Sequence, residues 1–287
     1  MLIDIQWPLV LFGILCGMGG TLACSIGVAE LMGRARQARF VASIVSLAFM
    51  VVGGLAVVAH LSMPLNAFYA VAHVFSFSGI SVELIMLVIT FVVMLVYTIL
   101  LKRDVASGAF KVLAVLAIVS GLVLAFVCGH GYVIQSREYW DTELLPLAYM
   151  GTVLPAGAFL HMALSAKLGV ALEELKGMKV YLVVAVAASI VTSAAYLLFL
   201  GDAVGRNPLV SYGMIVVCGM VGEFVCLAAF LKAPNANTVF LVAVVAVVLA
   251  VVAALGIRIE MWLTSDPYFN AFYWELENGT PILKDDY

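Results

Sequence analysis

A chain of 287 residues that is 65% apolar, 11% charged and net −3 at neutral pH, with a mean hydropathy of +1.18, lies far outside the composition of a soluble domain. The balance also excludes a nucleic-acid binder, which needs a basic stripe. No GxxxxGK[ST] loop, HExxH pair or dinucleotide fingerprint after a strand is present to support a soluble enzyme.

A hydrocarbon core of about 30 Å takes roughly 20 helical residues to cross. Apolar runs of that length recur at 9–31, 40–61, 79–101, 112–134, 147–168, 179–200, 209–231 and 239–263. They predict an all-α, polytopic integral membrane protein, a bundle of eight transmembrane helices. The first run lacks a positive flank, carries Asp4 and continues for a full span, so it is expected to stay rather than be cleaved as a signal. Glycines 17, 19 and 20 in the first span and 53 and 54 in the second read as sites of close helix packing. The five cysteines all fall inside spans without a CxxC pair, which makes them packing residues rather than a disulfide framework.

Residues 1–263 form the anchor domain on this reading, and 264–287 form a tail in which Tyr268, Phe269, Phe272, Tyr273 and Trp274 mix with acids. Such a tail suits either an interfacial aromatic belt or a partner's surface. No connection reaches the roughly 50 residues that a separate core requires.

Lys and Arg concentrate in cytoplasmic loops. Arg34, Arg36, Arg39, Lys102, Arg103, Lys111, Lys167, Lys176, Lys179 and Lys232 share one face, against Arg137, Arg206, Arg258 and Lys284 on the other. Both termini are therefore expected outside. The outer face also carries most of the acids and the longer connections 62–78 and 135–146, so a soluble partner is expected to dock there.

Charged groups inside spans are costly and normally face a cavity or a partner. His60 closes the second span, Glu83 opens the third, His130 and Tyr132 close the fourth, and Arg258 and Glu260 lie toward the outer end of the eighth. All sit in one layer. Any of them could snorkel to the headgroups, which is the expectation for Glu260. His60 and Glu83 are different, because one connection joins them on antiparallel neighbours and holds them at similar depth. Arg258 is expected to serve as a counter-charge for Glu83 or Glu260. His161 and Glu223 fall in inner half-spans, either lining a proton path or satisfied by a hydroxyl or backbone partner between helices.

Oxidation of a quinol releases two electrons and two protons, so its site needs an apolar slot plus an imidazole or carboxylate for each hydroxyl. His60 and Glu83 have that chemistry, and Pro64, Phe68, Tyr69, Phe75 and Phe77 between them could wall the slot.

The segments WPLVLF at Trp7 to Phe12 and HLSMPLNAF at His60 to Phe68, the Glu83 segment and the eight-span plan resemble the membrane anchor subunit of dimethyl sulfoxide (DMSO) reductase. The resemblance is best over roughly the first hundred residues, continues through Tyr132 and Pro146 and reappears around Arg258; the fifth to seventh spans agree in hydropathy only. The more distant polysulfide reductase anchors share the eight-helix plan.

The resemblance implies a non-catalytic-centre subunit in a bacterial cytoplasmic membrane, working in anaerobic respiration. It would hold a four-cluster iron-sulfur subunit and a molybdopterin catalytic subunit on the outer face and oxidise menaquinol, without haem or a metal site of its own. It ties quinol to a histidine at the end of the second helix and a glutamate at the start of the third, here His60 and Glu83. His60 is then expected to accept one hydroxyl proton and Glu83 to take or relay the other. His130, Tyr132 and Arg258 are expected around the quinol, with Arg258 tuning the carboxylate.

Two rivals keep the same residues. His60 and His130 could ligate one haem b, or the eight helices could form a small-molecule transporter. The second is weakened because transporters place polar groups near the midplane, whereas here they crowd one face.

Overall fold

The computed structural model describes residues 5–60, 78–103 and 108–265; the side chains of Ala59 and His60 also lie outside the described residues. The 61–77 connection with its proposed aromatic wall, and the tail beyond Ser265, therefore carry no structural account.

Eight long helices are present: α1 Trp7–Leu31, α2 Arg39–His60, α3 Gly79–Lys102, α4 Gly108–His130, α5 Leu144–Lys167, α7 Lys179–Leu200, α8 Leu209–Lys232 and α9 Ala236–Leu263. Each is long and apolar enough to cross a membrane. A six-residue helix, α6 (Leu172–Gly177), joins α5 to α7 and was not expected from hydropathy. Among the described residues there is no strand, so the all-helical, eight-span architecture stands as predicted.

Local chemistry sets several of the ends. Pro8 opens α1, where its missing N–H costs no helical bond. Ser78 caps α3 by accepting from the Ser81 amide, and Asn235 caps α9 by accepting from the Thr238 amide at 2.9 Å. α8 is wound as a π-helix over Leu209–Gly222 and becomes α-helical from Glu223.

The helices form two rings of four. In one, α1 packs on α2 and α4, and α3 closes the ring between those two; in the other, α5, α7, α8 and α9 repeat the arrangement. The rings meet where α1 lies against α5, with α4 on α5 and α1 on α9 beside that seam. Accordingly α1 and α5 are 83% and 78% buried over their apolar windows, whereas α3, at 17%, is the least buried of the eight.

Lipid tails compete equally well for apolar side chains, so helices associate in a bilayer through close packing and interhelical hydrogen bonds. The α1 glycines supply the first. A Cβ on Gly20 would lie 2.6 Å from the Gly121 carbonyl oxygen of α4, and one on Gly27 2.5 Å from that of Ala114. Gly17 meets Val153, Gly19 meets Met50, and Gly53 of α2 meets Cys16, so glycines 17, 19, 20 and 53 are at close helix contacts as expected, whereas Gly54 has only an ordinary contact with Leu87. The second comes from hydroxyls donating to carbonyls of the neighbouring helix: Thr21 to Val153 at 2.9 Å, Ser46 to Gly19 at 2.7 Å and Thr90 to Ser120 at 3.1 Å.

The basic end of the bundle is fastened by Glu30, which pairs with Arg39 at 3.1 Å and accepts from the Tyr97 hydroxyl at 2.7 Å. At the opposite end Ile5 packs into the same cluster as Trp140 and Trp262, so both described chain ends lie there, with the His60 end of α2 and the Glu83 end of α3.

Candidate functional site

The site is built where α3 begins. Gly79, its first residue, lies against Gly131 just past the end of α4; a Cβ on Gly79 would stand 3.0 Å from the Gly131 Cα. This approach carries Glu83, one turn further along, over the same glycine. A Cβ on Gly131 would be 2.5 Å from Glu83 Oε1. Glu83 is partly buried, and Cys16 of α1, Cys128 of α4, Tyr132 and Tyr149 of α5 all lie within electrostatic range of its carboxyl.

Arg258 of α9 reaches the same neighbourhood from the other ring. Its side chain is fully buried, with Nη1 donating to the Ala254 carbonyl at 2.9 Å and Nη2 to that of Gly13 at 3.1 Å. The guanidinium lies 4.1 Å over the Tyr149 ring, a cation–π contact strengthened by the burial of both side chains. Gly13 permits this approach, since a Cβ there would be 3.2 Å from Arg258 Nε. Among the described residues Nε has no hydrogen-bond partner.

The expected pairing of Arg258 with Glu83 or Glu260 is not found: neither carboxylate forms an ion pair with it. Its charge is instead met by two carbonyls and a ring face. Glu260 does not snorkel either. It is buried against α8, where Oε1 accepts from Ser211 at 3.0 Å, because its position on α9 faces that helix rather than the headgroups.

Tyr132 belongs to the convergence. Its ring centroid is 5.9 Å from that of Tyr149 and 6.0 Å from those of Trp140 and Trp262, whose own rings meet edge-on at 5.3 Å. Trp140 Nε1 donates to the Met261 carbonyl at 2.8 Å, which fixes this aromatic cap to the end of α9.

His130 stands apart. It is exposed, stacks on Phe126 and places Nδ1 3.2 Å from Glu143 Oε2, a contact that ligation of a haem through that nitrogen would have to break. His60 is the last residue of α2, which packs on both α1 and α3. Among the described residues no group of three His, Cys, Asp or Glu is placed to hold a metal ion.

The two inner candidates lie outside this site. His161 is buried with Nδ1 2.9 Å from the Ser25 hydroxyl, the interhelical partner that one of the two expectations required. Glu223 is fully buried at the π-to-α junction of α8, with Ser189 of α7 as its polar neighbour.

Sequence reasoning missed Tyr149, Gly131 and Gly13, which bring Glu83, Tyr132 and Arg258 into one layer. The pair Gly129 and Gly131 at the end of α4 was the one available signal, since both leave room for a neighbour: Gly129 for Tyr149 and Gly131 for Glu83.

The family described as DMSO reductase anchor subunit (DmsC) matches residues 4–263. No curated protein matches the chain.

Proposed function

From the chain's membership of the DMSO reductase anchor subunit family, to which it belongs over residues 4–263, we propose that this multi-pass membrane protein oxidises menaquinol at the Glu83 end of α3. Electrons pass to a docked four-cluster iron-sulfur subunit and on to a molybdopterin catalytic subunit. The iron-sulfur clusters and the molybdopterin belong to those partners, and the anchor works without haem.

The observation that carries this reading is the placement of Glu83. A carboxyl group within a span is costly, and this one is partly buried on the helix most open to lipid, which packs on the helix that carries His60. A quinol arriving from the bilayer meets it without crossing the bundle. Glu83 takes the proton of one hydroxyl as the ring is oxidised, and His60 takes the other. Tyr132 and the aromatic cap behind it close the site toward the bundle end.

On this reading the Glu83 end faces outward from a bacterial cytoplasmic membrane, an orientation supported by the bias of Lys and Arg toward the Glu30 end. With both partners docked on that face, protons and electrons leave on the same side and the step moves no net charge across the bilayer.

Glu83→Gln keeps the shape and removes the base. In membranes containing the whole complex, the ratio of quinol-driven to viologen-dye-driven acceptor reduction falls on the order of 10²-fold or more. An unchanged ratio removes Glu83 from the reaction.

A further inference from the structure

A lateral groove of about 270 Å³ runs between α2 and α3, with Val51, Gly54 and Val58 on one wall and Leu87, Val88 and Phe91 on the other. Met50 is fully buried at its base, while Val51 and Val88 are 46% and 52% exposed at its lips, so the groove opens to the acyl chains and not to water. Gly54 leaves its α2 wall without a side chain: a Cβ there would make only an ordinary contact, 3.6 Å from Leu87 Cδ2, so a larger side chain at this position would extend into the groove.

The groove runs along α2 and α3 toward the site just described. Val58 precedes His60 by two residues on α2, and Leu87 lies one helical turn below Glu83 on the same face of α3. Pockets that enclose a whole small molecule occupy about 300 to 1,000 Å³ and place polar groups among apolar ones. This groove is smaller and its lining residues are apolar, which suits a hydrocarbon chain and not a ring bearing hydroxyls.

We propose that the α2–α3 groove binds the polyprenyl tail of the quinol whose headgroup reacts at Glu83, with Gly54 as the residue that sets tail specificity. The proposal rests on the quinol reading above. It deepens that reading by assigning the chain its own binding surface, so that the tail is held between α2 and α3 with the ring at the bundle end.

The test uses the intact complex in proteoliposomes with two donors that share a naphthoquinol ring, one with a long polyprenyl tail and one with none. Gly54→Leu fills the groove from α2. Val88→Trp narrows it from the lipid-facing side of α3, where the residue is exposed and supports no packing inside the bundle. For both variants the ratio of KM for the long-tailed donor to KM for the tail-less one rises about tenfold, the scale on which an apolar pocket discriminates by a methylene or more.

A ratio that stays at the wild-type value in both variants assigns the groove to bulk lipid and overturns the proposal, as does a parallel rise in both KM values. Glu83→Gln, run beside them, separates the two readings. If it retains turnover with both donors, the reaction site itself is misplaced; if it loses both while the KM ratio of the groove variants is unchanged, only the tail assignment fails.

Discussion

The carboxylate of Glu83 rests on Gly131, so close that a methyl group on that glycine would stand 2.5 Å from Oε1. Gly131 is therefore part of the site without contributing a side chain. Gly131→Ala must push the carboxyl aside, and a displacement of about 1 Å from a reacting position costs on the order of 10²-fold in rate. The expected outcome is a loss of that size in the quinol-to-dye turnover ratio, with the complex still assembled on the membrane as judged by co-purification of its subunits.

Arg258 presents the opposite case, a buried cation with no carboxylate partner among the described residues. Removing an unpaired charge from a buried site relieves a desolvation cost of several kcal/mol, on the order of or above the roughly 1–3 kcal/mol for each carbonyl that would lose its donor. Arg258→Met is thus expected to melt no lower than the parent in detergent. Quinol-driven turnover is expected to fall about tenfold or more, because the positive field shared by Tyr132, Tyr149 and Cys128 is gone. A lower melting temperature with unchanged turnover would make the residue structural.

The glycines of α1 and α2 separate in the same kind of measurement. Gly20 and Gly121 meet backbone to backbone, so Gly20→Val has no flexible neighbour to displace and should cost at least the 1–3 kcal/mol, roughly, of an overpacked core. Aggregation on size exclusion after extraction is the expected result. Gly54→Ala, whose Cβ finds ordinary contact, should elute and melt like the parent.

Much of the architecture was legible in the sequence, because a bilayer imposes span length so strongly that hydropathy alone located eight helices. The GMGG segment also read correctly, since Gly17, Gly19 and Gly20 each meet a different neighbouring residue. Facing was another matter. Helices apolar on every side carry no periodic signal for which stripe points inward, so Glu260 was expected at the headgroups although it turns toward Ser211. The partners of Arg258 were hidden for a related reason: Gly13 is 245 positions away and offers only a backbone carbonyl. The π-winding of α8 leaves no compositional trace within such an apolar segment, and α6, a charged six-residue helix between two spans, is too short for hydropathy to reveal.

Photo-crosslinking bears most directly on the claim that quinol reacts at the start of α3. A light-activated menaquinone analogue is bound to the intact complex, irradiated and located by peptide mapping, with and without excess menaquinol as competitor. The account predicts competable label on the segments around His60 and Glu83. Label that competes away from α7, α8 or the Glu30 end instead, with none on α2 or α3, would contradict it.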